Sequence, residues 1–380
     1  MDVGPRQPLH CQPLPRGSAA KFSGRMEKPQ IIEHIQHSLP LTIYDTKWIP
    51  SSARFVLLGN HARGTGAMHI YALEHGKLKV IKECEKKDPF KCGSFGASTV
   101  EERHFATGDF GGRMSIWDLE RTDLPIYTVA AHEGIINSLD GCGGLVGGGA
   151  PEIVTGARDG AVRIWDPRQP DEPVASLEAD DPESARDCWA VAFGNSFNDD
   201  ERMVAAGYDN GDIKLFDLRK NAVIWERNIK NGICGVAFDR KDIEMNKLAV
   251  VGLEAKSRFY DLRTQHTQKG FAHCSHRGKE KGSTVWAASF LPQNRDIVMT
   301  CGGGASLSLM KYNYPKERSR EDDNGQKMGI AGEIEVLNTA TVSTQPVASF
   351  DWSRDKLGLC VMGSYDQAVR VCLVTKLNLY

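Results

Sequence analysis

Several features of common protein classes are missing from the 380-residue sequence, and each absence narrows the possibilities. No apolar run approaches the ~18 residues that a membrane-spanning helix requires, so we expect no membrane segment. Basic and acidic residues nearly cancel, at 47 against 49, which argues against a general nucleic-acid binder. No CxxC pair occurs among the ten cysteines and no signal peptide precedes them, so we expect reduced thiols in a cytoplasmic protein.

Signatures of nucleotide and metal chemistry are also missing. The glycine-rich run Gly141–Gly149 lacks the Lys-Ser/Thr pair of a phosphate-binding loop, and Pro151 and a strand follow it rather than a helix. His273-Cys274-Ser275-His276 offers three potential zinc ligands, but no second cluster is placed to complete a tetrahedral site. We therefore expect no cofactor and no metal, and we interpret the His/Cys segment as a solvated loop.

What the sequence does contain is a repeated segment: a strand ending in Gly, a tight turn, and a second strand that closes on an aromatic residue and Asp. Thr107–Asp118, Thr155–Asp166 and Ala206–Asp217 are the clearest copies. The seven copies close at Tyr71, Trp117, Trp165, Phe216, Tyr260, Met310 and Val371. A repeat of about 45–50 residues punctuated by Gly and Trp-Asp is typical of the four-stranded blades of a β-propeller.

The repeats predict an all-β fold, a seven-bladed propeller that forms one domain over residues 26–380, since seven blades require about 340–350 residues. Residues 1–25 contain four prolines and little apolar periodicity, so we expect a disordered extension. No outermost strand follows Val374 in the last repeat. We expect residues 30–36 to supply it, which would close the ring and remove exposed sheet edges.

An Asp recurs in the predicted tight turn between the second and third strands of each clear blade, where Asn, Asp and Gly tolerate the backbone angles. This place is assigned to Asp109, Asp159, Asp209 and Asp366. In the third blade, His132, Thr155 and Trp165 are positioned to complete a buried polar network with Asp159. A catalytic His132–Asp159 dyad is the alternative, but no nucleophile recurs nearby, so we interpret these residues as structural and expect no enzyme activity.

These segments resemble the WD-repeat family across residues 30–380. A closer resemblance, to the WD-repeat assembly factors of axonemal dyneins, is carried by Lys28–Ile32, Thr155–Arg168, Arg186–Asn195, Ala206–Arg219, Phe238–Ile243 and Val374–Asn378. The resemblance implies a monomeric cytoplasmic adaptor that works with a RuvB-like ATPase co-chaperone and a prefoldin-like complex. In that role it would stabilise dynein heavy chains before they enter cilia, and family members are also linked to apoptosis.

Trp165-Asp166-Pro167-Arg168 has a second interpretation, because it fits the WDxR box of the substrate receptors of Cullin-RING ubiquitin ligases. Phe216–Arg219 and Tyr260–Arg263 are near copies. The structural alternative is that Arg168 forms an ion pair with Asp166 at the end of a strand. Because the box overlaps the repeat consensus itself, we favour that alternative.

Candidate partner-binding residues cluster on one predicted face of the propeller. They are Trp189, Trp286, Phe110, Tyr208, Asp180, Asp181 and Asp187. The tryptophans follow the crossings into inner strands, the other aromatics lie in turns of the same face, and the acidic residues precede Trp189. Aromatic and carboxylate groups together suit a cationic peptide, or the methyl-lysine of a histone tail. The structural alternative is that both tryptophans pack in the blade cores.

Two stretches between predicted strands interrupt the repeats. Pro315–Glu333 is hydrophilic and rich in charges of both signs, so we predict a mobile loop rather than a further blade. Phe271–Gly282 is shorter and basic, and we interpret it as a loop as well.

Overall fold

The structure is a computed structural model that describes residues 28–169, 171–179, 181–278 and 283–380. The described chain forms seven four-stranded antiparallel sheets, and the innermost strands of these sheets contact one another in a closed ring. The fold is therefore the all-β, seven-bladed propeller that the repeats predict. The extension predicted over residues 1–25 lies outside the described residues.

In blades 1 to 6, the four strands follow one another in chain order from the innermost strand, at the central channel, to the outermost. The first strand of the chain, β1 (Ile31–Ser38), belongs to blade 7. Blade 1 contains β2 (Leu41–Trp48), β3 (Arg54–His61), β4 (Gly66–Glu74) and β5 (Lys77–Lys86). Blade 2 contains β6 (Phe90–Ser94), β7 (Phe105–Asp109), β8 (Arg113–Trp117) and β9 (Tyr127–Ala130). Blade 3 contains β10 (Ile136–Cys142), β11 (Glu152–Ala157), β12 (Val162–Trp165) and β13 (Ala175–Leu177), and blade 4 contains β14 (Cys188–Gly194), β15 (Met203–Tyr208), β16 (Asp212–Asp217) and β17 (Ala222–Asn228).

The remaining three blades complete the ring. Blade 5 contains β18 (Ile233–Phe238), β19 (Lys247–Gly252), β20 (Lys256–His266) and β21 (Gly270–Arg277). Blade 6 contains β22 (Val285–Leu291), β23 (Asn294–Gly302), β24 (Ser306–Asn313) and, after a hairpin of β25 (Ser319–Glu321) and β26 (Lys327–Gly329), β27 (Glu333–Thr341). Blade 7 contains β28 (Val347–Trp352), β29 (Leu359–Ser364), β30 (Ala368–Val374) and β1. Two 3₁₀ helices span Pro182–Ser184 and Leu377–Leu379.

The N-terminal strand closes the ring as predicted. β1 pairs antiparallel with β30, with Ile31 opposite Val374 and Ser38 opposite Ala368. Ile35 also packs against the apolar cluster that joins blades 7 and 1. Because β1 comes from the other end of the chain, opening the ring would require breaking a complete strand pairing as well as this packing.

The hydrophobic core is divided into seven clusters, each of which lies between two adjacent blades. Between blades 4 and 5, for example, Ile213 and Leu215 pack with Ile233 and Leu248. The middle strands are consequently buried on both faces, whereas outer strands such as β5 alternate between exposed and half-buried residues. A single blade could not bury its own faces, so the fold depends on the stacking of neighbours.

The segment Pro315–Glu333 is not a further blade, as predicted, and part of it forms the β25–β26 hairpin, which contacts β20. The carboxylate of Asp322 accepts the backbone N–H groups of Asn324 and Gln326, both at 2.9 Å. It also lies 3.1 Å from Nε2 of the buried His266. The hairpin and its contact with blade 5 were not predicted, because composition does not reveal such contacts.

The stretch Phe271–Gly282 also differs from its prediction. Residues 270–277 form β21, the outer strand of blade 5, so His273, Cys274 and His276 lie in a strand rather than in a solvated loop. Within the part of the chain that the structure describes, no group of three or more His, Cys, Asp or Glu side chains could hold a metal ion. No helix in the same residues is long and apolar enough to cross a membrane.

Candidate partner-binding rim at the channel mouth

The innermost strand of every blade carries an irregularity near its start. In β2, pairing with β3 passes from Ile43 directly to Asp45, which leaves Tyr44 unpaired. The residues left out at the same point of the other six inner strands are Lys91, Asn137, Trp189, Cys234, Trp286 and Ala348. A bulge of this kind takes one residue out of the regular alternation and re-aims its side chain.

These seven bulge residues, which we call the inner ring, all line one cavity of about 370 Å³. The cavity lies at one end of the central channel, and we call this end the mouth. Three members of the inner ring are aromatic, and Lys91 is the one that carries a charge. The predicted rim residues Trp189 and Trp286 are thus brought to the same opening, each half-buried rather than enclosed in a blade core.

A second set of residues, the outer ring, surrounds the inner one. Each member directly follows the strand residue that pairs with the residue just before a bulge; for example, Phe110 follows Asp109, which pairs with Phe90. The outer ring contains Asn60, Phe110, Arg158, Asp209, Leu253, Gly303 and Tyr365. Backbone hydrogen bonds fix these positions, such as those from Phe110 N–H to Pro89 and from Tyr365 N–H to Pro346, both 2.9 Å long.

Aromatic members of the two rings form a continuous arc over four blades. The ring centroids of Phe110 and Tyr44 are 5.3 Å apart, and those of Tyr44 and Tyr365 are 6.4 Å apart. Trp286 continues the arc, with its centroid 5.2 Å from that of Tyr365. All four side chains are partly exposed. The arc therefore offers apolar area to a partner at a place where the blades themselves do not cover it.

Tyr208, predicted to lie on the rim, is buried instead. It is 6% exposed and packs in the cluster between blades 3 and 4, where burial raises the pKa of its hydroxyl well above the ordinary value. Its neighbour Asp209 takes the outer-ring position that Phe110 holds in blade 2. The repeats were aligned one residue out of step here, and a shift of one residue in a strand reverses the face on which a side chain lies.

The same alignment misplaced two of the four recurring Asp residues. Asp159 and Asp366 do share one turn position, but Gly111 and Asn210 occupy it in blades 2 and 4. Asp109 lies within β7, where its carboxylate accepts the N–H groups of Gly111 and Arg113 at 2.9 and 2.8 Å. Asp209 lies on the outer ring, and one of its buried carboxylate oxygens has no hydrogen-bond partner among the described residues.

The four side chains predicted to form a network in blade 3 are hydrogen-bonded to one another. His132 Nδ1 lies 3.0 Å from a carboxylate oxygen of Asp159, and His132 Nε2 lies 2.7 Å from Thr155 Oγ1. Trp165 Nε1 donates to Thr155 Oγ1 at 3.0 Å. Burial alone would raise the pKa of Asp159, but hydrogen bonds from His132 and from backbone N–H groups outweigh it and hold the pKa below the ordinary value.

Blade 7 builds a different network around Asp366. Ser343 and Ser364 donate to its carboxylate at 2.8 and 2.6 Å, and Arg370 forms an ion pair with it at 2.5 Å. Burial acts to raise the pKa of Asp366, yet these partners together hold it far below the ordinary value. The serines and arginine thus replace the His and Thr of blade 3.

The ligase-box residues lie on the face opposite the mouth. Trp165 is buried at the end of β12, and Arg168 reaches back to Asp166. The guanidinium group lies 2.6 Å from one carboxylate oxygen and 3.0 Å from the other. Arg263 and Asp261 are paired in the same way in blade 5. This is the geometry of the structural alternative, in which the arginine neutralises a nearly buried carboxylate at a strand end.

The acidic segment before Trp189 lies on the mouth side of the propeller. The carbonyl oxygen of Asp187 accepts the N–H of the outer-ring residue Asp209 at 3.0 Å. Asp181 is exposed at the 3₁₀ helix, and its carboxylate accepts the N–H of Glu183 at 3.1 Å. Asp180, the third predicted residue, lies outside the described residues. The acidic groups are therefore peripheral to the two rings, on the side of blades 3 and 4.

The opposite end of the channel, the far end, is different in character. Charged side chains contribute to the lining of a cavity of about 560 Å³ there, and Lys241 pairs with Asp140 and Arg240 with Asp242. Asp239 also lines this cavity and lies 3.3 Å from Lys247 and 2.6 Å from Arg295, which are outside the lining.

Carboxylates of the inner strands also join neighbouring blades. Asp45 accepts Gly93 N–H of the next blade at 2.9 Å, and Asp351 accepts Trp48 N–H at 2.8 Å. Asp140 makes the same kind of bond with Phe193 N–H, at 2.9 Å. Each of these charges satisfies a backbone donor that the channel would otherwise leave unpaired.

Sequence reasoning missed several residues of the mouth, chiefly Tyr44, Tyr365, Lys91 and Asn137. The repeats were aligned on their closing aromatic-Asp pairs, which lie at the opposite face. An alignment on the inner strands would place Tyr44 and Lys91 in the same column as Trp189, because each follows the first residues of its inner strand. That signal was present in the sequence.

Comparisons with known proteins agree with this architecture. A family model described as "WD domain, G-beta repeat" matches residues 124–166, and one described as "Nucleolar protein 10-like, N-terminal domain" matches residues 150–275. Dynein axonemal assembly factor 10 of Homo sapiens is 57% identical over 353 residues, covering 93% of this chain and 98% of the relative. The protein of that name from Chlamydomonas reinhardtii is 57% identical over 352 residues, covering 92% and 98%.

A more distant relative of the same name, from Dictyostelium discoideum, is 25% identical over 346 residues, covering 83% of this chain. High identity to relatives as distant from one another as a human and an alga extends through the whole propeller rather than through the repeat motifs alone. The chain belongs to the family of dynein axonemal assembly factor 10, the WD-repeat proteins also called Monad.

Proposed function

We propose that the chain is a non-enzymatic cytoplasmic adaptor in the assembly of axonemal dynein, and that the channel mouth is its partner surface. Similarity to relatives named as dynein axonemal assembly factors supports the function, and the aromatic arc supports the choice of surface. The partners we propose are a RuvB-like ATPase co-chaperone with its prefoldin-like complex, and through them the dynein heavy chains.

We choose this surface because Trp189 and Trp286 differ from the tryptophans that close the repeats. Trp117 and Trp165 are buried and donate to Thr107 and Thr155, so their role is structural. The inner-ring tryptophans lie instead on bulges and remain partly exposed. Partly exposed aromatics around a concave opening are the usual anchors of a protein–protein contact.

Affinity purification of the full chain from ciliated cells, followed by mass spectrometry of the eluate, tests the proposal. We expect the wild type to retain the co-chaperone and dynein heavy chains, and Trp189→Ala with Trp286→Ala to retain much less of both. Each truncation should cost ~2 kcal/mol or more of binding free energy. The matched control is Leu124→Ala, which removes an apolar side chain that is 79% exposed at the outer edge of blade 2.

Two results would contradict the proposal in different ways. If the wild type retains neither the co-chaperone nor dynein, the adaptor role is wrong. If the tryptophan variants and the wild type retain both equally, the partner surface lies elsewhere on the propeller. Asp181→Lys with Asp187→Lys tests the acidic segment separately, since exposed charges should mainly slow association and change its salt dependence.

A further inference from the structure

The inner ring contains one cation, and the fold does not neutralise it. Lys91 is the inner-ring member of blade 2, and its side chain turns inward over the face of Tyr44, with Nζ 4.8 Å from the ring centroid. Among the described residues, no hydrogen bond or ion pair to its ammonium group is found. The nearby carboxylate of Asp45 is engaged by Lys47 and by Gly93 N–H.

Lys91 is partly buried at the mouth. Burial lowers the pKa of its ammonium group, and the negative charge of nearby Asp45, which acts in the opposite direction, does not outweigh the burial. Cys234, on the bulge of blade 5, lies close enough across the mouth for its thiol to be affected electrostatically by Lys91. A lysine that is partly desolvated and has no anionic partner of its own would gain more from an incoming carboxylate than an exposed lysine would.

From this geometry we infer that the mouth is a receptor for an acidic side chain, an Asp or Glu flanked by apolar residues in an extended segment of a partner protein. The carboxylate pairs with Lys91, and the flanking side chains pack on the aromatic arc of Tyr44, Tyr365 and Trp286. This inference rests on the proposed function, because it assigns the chemistry of the segment that the partner surface accepts.

The charge of Lys91 decides against a cationic occupant such as methyl-lysine. The face of Tyr44 that a cation would use is already covered by Lys91, so a second cation would meet like charge in a confined space. The mouth also opens into the channel, since Ser138, Cys234 and Trp286 line both cavities. Because the mouth continues into the channel, it has no floor against which a chain terminus could bind. It suits instead an extended segment that lies across the mouth and inserts one side chain.

A random peptide library displayed on phage, panned on the purified full chain, tests the inference without any dynein component. We expect selected peptides to share one Asp or Glu between aromatic or aliphatic residues. The selected peptide, made synthetically with capped ends, should bind Lys91→Met at least ~10-fold more weakly, as expected for the loss of a charge-assisted contact. Lys91→Glu should reverse the selection toward Lys or Arg at that position.

The matched control is Lys77→Glu, which reverses a charge on the exposed outer strand β5, away from both rings, and should leave the acidic selection unchanged. Selection of basic peptides by the wild type, no selection at all, or equal binding to Lys91→Met would overturn the inference. So would a requirement for a free C-terminal carboxylate, measured with an uncapped version of the same peptide. If Lys91→Glu does not fold, Lys91→Met, which introduces no charge, decides the question.

The two proposals can fail separately. Loss of co-chaperone retention in the tryptophan variants together with selection of basic peptides would keep the mouth as the partner surface and reject its acidic specificity. Selection of acidic peptides by a chain that retains neither co-chaperone nor dynein in cells would support the receptor site and reject the proposed adaptor role.

Discussion

The two ends of the channel are built from the same seven strands and use charge in opposite ways. At the far end, Asp239 is enclosed by Lys247, Arg295 and backbone N–H groups, so its charge is used within the fold. At the mouth, Lys91 has only the face of Tyr44. A charge whose partners all belong to the chain stabilises the chain, whereas one without such a partner is available to another molecule.

Aromatic residues repeat the same contrast within single blades. Trp165, at the face opposite the mouth, is buried with its indole N–H bonded to Thr155. Trp189, at the mouth end of the next blade, is partly exposed on a bulge. The difference indicates that stability and recognition are separated along the channel axis, and this separation can be tested by substitution at each end.

The largest expected effect comes from removing β1, on which both ends depend. Deleting residues 1–38 should lower the melting temperature far more than deleting residues 1–25, because only the longer deletion leaves β30 with an unpaired edge. Thermal unfolding of both truncations, followed by circular dichroism, measures the difference. Equal melting temperatures would show that the ring does not need its N-terminal strand.

Asp239→Ala should cost about 2–4 kcal/mol of unfolding free energy, because Arg295 loses its carboxylate partner, Lys247 keeps only Asp296, and two backbone N–H groups lose their acceptor. Urea denaturation measures the change. The control lies in the same loop: Asp242 pairs with Arg240 on the surface, so Asp242→Ala should cost about 0–1 kcal/mol. Similar losses of unfolding free energy in the two variants would contradict the structural role of the charges at the far end.

Trp165→Ala should cost about 2–4 kcal/mol of stability, since it leaves a cavity and removes one hydrogen bond from the buried network of blade 3. Trp189→Ala should change stability much less, because its side chain is already partly exposed. Denaturation of the two variants under the same conditions tests the contrast. A larger loss for Trp189→Ala would place that residue in the core and argue against its role as an anchor.

Lowering the pH should reduce the contribution of Asp366 to the stability of the fold. The pKa of Asp366 is held below its ordinary value, so its stabilising effect is fully present above the unfolded-state pKa of about 4 and is lost as the pH falls through the lower folded-state pKa. The stability difference between the wild type and Asp366→Asn should therefore be largest above pH ~4 and should shrink at lower pH. A stability difference between the wild type and Asp366→Asn that grows as the pH falls would contradict this prediction.

The smallest expected effect is that of Lys91→Met on folding. Because Lys91 forms no ion pair in the described chain and burial lowers the pKa of its ammonium group, removing the charge should change stability by no more than about ±0.5 kcal/mol. A loss as large as that of Asp239→Ala would show that Lys91 is structural. The two ends would then not differ in the way proposed here.

Local sequence patterns were sufficient to predict much of the fold, and particular residues show why. Thr107 and Trp117 in blade 2 repeat the separation of Thr155 and Trp165 in blade 3, because a tight turn and a short strand place the two side chains within hydrogen-bond distance. The missing outer strand after Val374 predicted the pairing with β1. The hairpin at Ser319–Gly329 was not predicted, because the bonds that hold it to blade 5, such as that between Asp322 and His266, join residues distant in the sequence.

The sequence by itself determined the number of blades, the closure of the ring and the network of blade 3, since each follows from short-range spacing and from strand count. Only the tertiary structure decided which residues form the mouth. Tyr44 and Tyr365 meet because ring closure brings the two ends of the chain together. Lys91, Trp189 and Trp286 share one opening because a bulge in each inner strand turns one side chain inward, and that choice of face depends on pairing between strands rather than on any single repeat.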